Sequence, residues 1–142
     1  MAPITHIVIM QFKSDTDEAQ KKALGEAFLA LRNQCLSPDN FTSPGAPYIL
    51  NIIGGSNNSS EAPAKGYEVS RHTNSIAIIL LNIRSVWHVQ HAYIVTLASE
   101  QHRDYYLNHD PAHKAFELSF GSFIEKEVVT DFIDGVWNWC CE

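Results

Sequence analysis

Apolar and polar residues alternate along the first stretch of the chain, from Ile4 to Phe12, and many of them are β-branched. This period of two predicts a mostly buried strand. Residues 14–17 are then suited to cap a helix, and apolar residues recur at helical spacing from Ala19 to Cys35. This segment is predicted to be a helix whose apolar face includes Leu24, Phe28, Leu31 and Cys35.

Three further apolar runs predict strands. One extends from Tyr48 to Ile53, and we expect the Gly54-Gly55 pair to end it. The others extend from Ile76 to Ile83 and from Tyr93 to Leu97. A weaker alternation at residues 67–71 also favours a strand.

The last part of the chain alternates between helix and strand signals. A helix is expected to begin at Ser99-Glu100 and to break at His109-Asp110-Pro111. Pro111 suits the first turn of a further helix, which we expect to run through Phe120. A last strand is predicted from Val128 to Phe132.

The predicted order of elements is β-α-β-β-α-β, the ferredoxin-like motif. It indicates an α+β protein with an antiparallel sheet and its helices on one face. The other face of the sheet needs cover, and a second copy of the same sheet is the economical cover. The sequence therefore predicts a homodimer of the dimeric α/β-barrel type.

Composition and charge exclude several classes of protein. A chain of 142 residues is one domain by length, and 45% hydrophobic residues are ample for a core. A formal net charge of −6 without a basic cluster argues against nucleic-acid binding. No apolar run is long enough to cross a membrane, and no signal peptide is predicted. Three cysteines cannot all pair, which favours a reducing, cytoplasmic location.

The segment from Tyr105 to His113 carries the most specific motif of the chain. It reads YYLNHDPAH and resembles the signature Y-x-x-H-P-x-H of the stress-responsive A/B barrel (Dabb) family, with Asp110 as one extra residue. The segments at 5–8, 54–57 and 66–68 also resemble pieces of that family, in the same order. The resemblance extends from Ile4 to about Gly135, so we expect a domain at residues 1–135 and a tail at 136–142.

The resemblance implies a small dimer, in many members without an assigned activity. Among similar proteins is the plant olivetolic acid cyclase, which closes a linear polyketide by aldol condensation. There a histidine corresponding to His113 acts with a tyrosine of the signature, and a first-strand histidine corresponds to His6. A further pocket histidine of the cyclase is replaced here by Val69, which argues against the same substrate.

Three residues are the candidates for catalysis. His113 follows Pro111 in the first turn of a helix, whose dipole favours a neutral imidazole that can act as a general base. Tyr106 is expected to stabilise a developing enolate, although the extra Asp110 leaves open whether Tyr105 takes that place. His6 would orient the base or the substrate. Each of these residues has a structural alternative, as a helix-start or core side chain.

The remaining site predictions concern binding. Tyr105, His109 and Tyr67 are expected to contact the substrate, with His109 alternatively capping a helix or holding the turn. No histidine or cysteine spacing is typical of a metal site, and no nucleotide-binding fingerprint occurs, so no metal and no cofactor are expected.

Together these features predict a cofactor-free cyclase or lyase that acts on a small hydrophobic or polyketide-like carbonyl compound. The alternative is a non-catalytic stress-responsive protein or a binder of a hydrophobic metabolite. Convergence of His113 and a tyrosine hydroxyl on one cavity would favour the enzyme.

Two segments fit the resemblance poorly. Residues 75–91 are 17 residues beyond the length expected for a continuous strand, so they are either an insertion or the true third strand with a long excursion. The tail contains Trp137 and Trp139, for which we expect a role at an interface or as a cap on the barrel.

Overall fold

The computed structural model describes residues 2–41, 43–59 and 89–137. The predicted strands at 67–71 and 76–83 lie outside them. The described elements are β1 (Ile4–Phe12), α1 (Glu18–Gln34), β2 (Ile49–Ser56), β3 (His91–Leu97), α2 (Glu100–Asn108), α3 (Pro111–Phe120), a 3-10 turn (Gly121–Phe123) and β4 (Ile124–Phe132).

The four strands form one antiparallel sheet in the order β2-β3-β1-β4. This is the predicted α+β, ferredoxin-like arrangement, and that prediction is confirmed. The predicted second helical region is divided into α2 and α3, with the break at the expected place before Pro111.

Local sequence explains where α1 begins. The Asp17 side chain accepts a hydrogen bond from the Gln20 amide at 2.8 Å, and the Gln20 side chain accepts one from the Asp17 amide at 2.9 Å. This reciprocal capping box satisfies two amides that the first turn cannot pair internally. The helix then buries its predicted apolar face, formed by Leu24, Phe28, Leu31 and Cys35.

The two faces of the sheet differ in burial. In β1 every second residue is buried, and His6 lies on this buried face with four apolar neighbours. The opposite face carries Ile7, which pairs with Ile94 of β3, and Ile94 in turn pairs with Ile53 of β2. Ile53 is 53% exposed. In the described part of the chain, an apolar row therefore remains open on the side of the sheet away from the core.

The boundaries of β2 and β4 differ from the prediction. The glycine pair does not end β2, because Gly54 lies against the ring of Tyr93, where any Cβ would collide with that ring. Glycine here permits close approach of two strands rather than a turn. β4 begins at Ile124 instead of Val128, and its start has no apolar alternation because it is an exposed edge strand.

Most of the segment 75–91, which was left open between an insertion and a third strand with a long excursion, lies outside the described residues, and so does Trp139. His91, the last residue of the segment 75–91, is the first residue of β3 and pairs with Met10 and Ser56. Trp137 is 80% exposed. No helix in the described ranges is long and apolar enough to cross a membrane.

Candidate active site

One cavity of about 400 Å³ brings the three predicted catalytic residues together. It lies on the helix side of the sheet, between β1, β4 and the three helices. His6, Tyr106 and His113 all line it, and its other inner walls are apolar, formed by Val8, Met10, Phe28 and Phe116. An apolar cavity with a few polar groups is the usual form of a small-molecule site.

His113 is held in one protonation form by its surroundings. Its Nδ1 lies 3.0 Å from the backbone oxygen of Tyr106. Because a carbonyl oxygen only accepts, Nδ1 carries the proton and Nε2 of the neutral ring keeps its lone pair. Burial lowers the pKa of His113 below its ordinary value, and the Glu117 carboxylate opposes that shift. The ring is therefore neutral near pH 7, as a general base requires.

The helix that carries His113 begins at a buried carboxylate. The side chain of Asp110 accepts hydrogen bonds from the amides of Ala112 and His113 at 2.8 and 3.0 Å. Asp110 is therefore the N-cap of α3, with Pro111 in the favourable first position. The alternative that His109 is the N-cap of this helix is wrong, since His109 instead ends α2, where its backbone N–H donates a hydrogen bond to the Tyr105 carbonyl oxygen.

Tyr106 is the tyrosine that lines the cavity. Its ring stacks on the His113 ring, with centroids 3.8 Å apart and an angle of 28° between the planes. Burial raises the pKa of Tyr106 well above its ordinary value, so the hydroxyl stays protonated. That hydroxyl is buried and has no hydrogen-bond partner among the described residues. An unpaired buried polar group costs about 1–3 kcal/mol, a cost that a partner would remove.

His6 has a carboxylate partner that the sequence did not reveal. Its Nδ1 donates to Asp131 Oδ1 at 2.6 Å, and the other oxygen of Asp131 lies 3.2 Å from the Arg103 guanidinium. The pairing of His6 with Asp131 follows from the β1–β4 register. No local motif connects positions 6 and 131, so only the register could have shown it. The carboxylate fixes the orientation of the imidazole in the manner of catalytic His–Asp pairs.

Tyr105 and His109 lie elsewhere. They line a separate open groove of about 370 Å³ on the outer side of α2, with Phe41 opposite. The structure thus separates the two neighbouring tyrosines, and it does not bring Tyr105 or His109 to the cavity of His113. Tyr67, the third predicted binding residue, lies outside the described residues.

Charged side chains surround the cavity where α3 meets β4. Glu117, Glu125, Glu127 and Lys126 all contribute to its wall. Glu117 Oε1 lies 4.0 Å from His113 Nε2, one helical turn away on the same face of α3. None of these charged residues was predicted from the sequence, although the i,i+4 spacing of His113 and Glu117 places them on one face of a helix.

Within ranges 2–41, 43–59 and 89–137, no group of three or more histidine, cysteine or acidic side chains is arranged to hold a metal ion. The two cavity histidines each direct Nδ1 to an oxygen acceptor, which places the proton on Nδ1 and the lone pair on Nε2 when the ring is neutral.

Comparison with solved structures gives the same fold. A protein from Arabidopsis thaliana has 16% identity and a TM-score of 0.61, covering 96% of this chain and 99% of its own. Hydroxynitrile lyase from Passiflora edulis has 18% identity and a TM-score of 0.63, covering 96% and 98%. At these identities the likeness concerns the fold.

A Dabb family protein with a ferredoxin-like fold from Mesorhizobium loti is also similar, with 13% identity, a TM-score of 0.54 and coverage of 94% and 97%. Several similar structures are described as dimeric ferredoxin-like proteins. No model of a known protein family and no curated protein sequence matches the chain. The chain thus has the ferredoxin-like fold that a Dabb protein and a lyase also have.

Proposed function

We propose that this chain is a Dabb-type protein and acts as a cofactor-free lyase or cyclase on a small carbonyl compound. One observation carries the proposal: His113 is a neutral imidazole whose Nδ1 is committed to the Tyr106 carbonyl, within a cavity of about 400 Å³. That arrangement leaves Nε2 as a base beside a space large enough for a substrate.

The chemistry begins with removal of a proton next to a carbonyl group. Nε2 of His113 takes the proton, and the electron pair of the broken C–H bond moves onto the carbonyl oxygen as an enolate. The imidazolium that forms lies near Glu117, whose carboxylate stabilises the positive charge. The enolate can then attack a second carbonyl of the same molecule, which closes a ring, or expel a leaving group.

Tyr106 and His6 are assigned supporting roles. The Tyr106 hydroxyl is a protonated donor that lacks a partner in the described structure, and donation to the enolate oxygen would supply one. His6, held by Asp131, presents Nε2 to the same cavity as a second acceptor. It can orient a substrate hydroxyl or receive a proton from it.

The cavity wall indicates the kind of substrate. Val8, Met10 and Phe28 favour a hydrocarbon or aromatic body, since burial of apolar surface contributes about 25 cal/mol per Å². Three glutamates and one lysine in the same wall disfavour a carboxylate or phosphate group on the ligand. A neutral, aromatic or polyketide-like carbonyl compound fits both requirements.

One observation favours a second candidate function, a non-catalytic binder of a hydrophobic metabolite. The Tyr106 hydroxyl is enclosed by protein atoms, so a ligand in the cavity reaches it only after side chains move. A binding protein would need no such movement. The cavity serves either function, and a turnover assay distinguishes the two.

We also propose that two copies associate through the open face of the sheet. The row that contains Ile7, Ile94 and Ile53 is apolar and partly exposed across three adjacent strands. Contiguous exposed apolar surface of this kind marks interaction sites. The dimeric state described for proteins of the same fold supports this arrangement.

The function is tested by following exchange of α-protons for deuterium by NMR in heavy water, with neutral aromatic 1,3-diketones as probes. Proton removal by the protein accelerates exchange even where no later step follows. His113→Ala should abolish the acceleration, whereas His109→Ala, a matched substitution four residues away and outside the cavity, should retain it. A parallel assay measures cyanide release from aromatic hydroxynitriles. In that lyase branch Nε2 of His113 would take the hydroxyl proton, the O–H electron pair would form the carbonyl bond, and the C–CN bond would break with its electron pair leaving as cyanide. Tight binding without exchange or cleavage would favour the binder.

A further inference from the structure

Asp110 connects the start of α3 to the edge of the sheet. Its side chain is 1% exposed. Oδ1 accepts from the amides of Ala112 and His113, while Oδ2 accepts from the Tyr48 hydroxyl at 2.8 Å. Tyr48 directly precedes β2 and is itself buried. One carboxylate therefore bridges two elements that are far apart in sequence.

The environment of Asp110 is closed and consists of neutral donors. Cys35 lies beside it, fully buried, and burial together with the Asp110 charge raises the pKa of the Cys35 thiol to about 12. Burial also raises the pKa of the Tyr48 hydroxyl, so both groups stay protonated. A buried carboxylate is costly unless several donors point at it, so this cluster fixes the position of Asp110 closely.

The position of His113 depends on the same turn. His113 is the third residue of α3, and its ring must reach the Tyr106 carbonyl of α2 across the corner between the helices. A displacement of the first turn of α3 would lengthen that bond and free the ring. Misplacement by about 1 Å can cost roughly 100-fold in rate at a catalytic group.

We propose that Asp110 is a positioning residue that, by joining Tyr48 to the first turn of α3, holds the His113 ring with Nδ1 on the Tyr106 carbonyl. Its importance for turnover rests on the proposed function; its effect on the ring does not. Asp110 acts through His113 and is not assigned contact with the substrate.

Two substitutions separate this role from simple helix capping. Asp110→Ser keeps an efficient N-cap but is too short to reach the Tyr48 hydroxyl. Asp110→Asn keeps both the length and an acceptor for the amides, and its NH2 group can donate to the Tyr48 oxygen. The matched control is Asp17→Ser, the same change at the exposed N-cap of α1, away from the cavity.

The readout is the ¹⁵N chemical shifts of the two ring nitrogens of His113, with α-proton exchange measured in parallel. In the wild-type protein and in the Asp110→Asn and Asp17→Ser variants, we expect the His113 ring to be protonated at Nδ1. In Asp110→Ser we expect averaged shifts from two tautomers and at least about a tenfold loss of exchange rate.

A wild-type ring spectrum in folded Asp110→Ser would overturn the proposal. If that variant does not fold, Tyr48→Phe removes the same connection while leaving the cap, and a wild-type ring spectrum there would overturn it equally. Absence of exchange in the wild-type protein would instead count against the proposed function, and the ring spectra would still decide the role of Asp110.

Discussion

The Nδ1 atom of His113 lies 3.0 Å from the backbone oxygen of Tyr106, while the two rings stack with their centroids 3.8 Å apart. The same residue therefore supplies an acceptor that selects the tautomer and a surface that fixes the plane of the ring. A base that is held in this way needs little reorganisation before it accepts a proton, which lowers the barrier to proton transfer.

The first prediction concerns the pH dependence of activity. Burial lowers the pKa of His113 below the ordinary 6.5, so the neutral base persists into mildly acidic solution. The exchange rate should stay level from pH 8 to about 6.5 and fall at lower pH, as Nε2 becomes protonated. A pH profile measured with a neutral ketone tests this. A rate that already falls between pH 8 and 7 would contradict it.

The second prediction concerns the pH dependence of stability. His91, His102 and His113 are all shifted to lower pKa by burial. Below about pH 6.5 the unfolded chain therefore binds more protons at these histidines than the folded chain does. Their contribution to the free energy of unfolding is present above that pH and is lost as the pH falls toward the folded-state pKa values. Urea unfolding should give a lower free energy of unfolding at pH 5.5 than at pH 7.5.

His91 offers the matched variant for this measurement. Its ring lies between the Tyr93 hydroxyl at 2.9 Å and the Ser56 hydroxyl at 3.2 Å, and His91 is not among the residues that line the cavity of His113. His91→Gln keeps polar contacts but does not titrate, so it should reduce the loss of stability between pH 7.5 and 5.5. An unchanged pH dependence would show that His91 contributes little to it.

The third prediction separates stability from activity at Tyr106. Tyr106→Phe removes a buried hydroxyl that has no partner in the described structure. The free energy of unfolding should therefore stay the same or rise by about 1 kcal/mol, while the exchange rate falls about 100-fold. Denaturant unfolding and the exchange assay measure the two effects on one sample. If the α-proton exchange rate of Tyr106→Phe were unchanged, the role of Tyr106 would be limited to packing and to holding the His113 ring.

The fourth prediction concerns association. Ile94→Glu places a charge at the centre of the open apolar row, so it should convert a dimer into a monomer, as measured by light scattering after gel filtration. Leu118→Glu is the control, because Leu118 is 87% exposed on α3, away from that face. The proposed interface would be wrong if Ile94→Glu remained dimeric or if the wild type were a monomer.

The elements that follow regular patterns were predictable from the sequence. The alternation in β1 and the helical spacing after the Asp17 cap both predicted their elements to within a residue or two, because burial on one face determines each pattern. The boundaries that failed depend on tertiary contact. Gly54 continues a strand because it adjoins Tyr93, and no local signal reveals that neighbour.

The site was predictable only in part. The motif predicted His113 as a candidate residue and left two neighbouring tyrosines as candidates for the second. In the structure Tyr106 lines the cavity with His113, and Tyr105 lines a separate groove. Asp131 and the bridging role of Asp110 were missed, since each depends on a partner more than 60 positions away, His6 and Tyr48 respectively. Such pairings become visible only once the strand register and the packing of α3 are known.

The central claim is that a substrate binds in the cavity with its acidic carbon at His113. The most direct measurement is a crystal structure of the protein with an unreactive neutral aromatic ketone. We predict that the ketone occupies the cavity with its α-carbon about 3–3.5 Å from His113 Nε2. A ketone bound in the groove of Tyr105 and His109, or one whose α-carbon lies away from Nε2, would contradict the account.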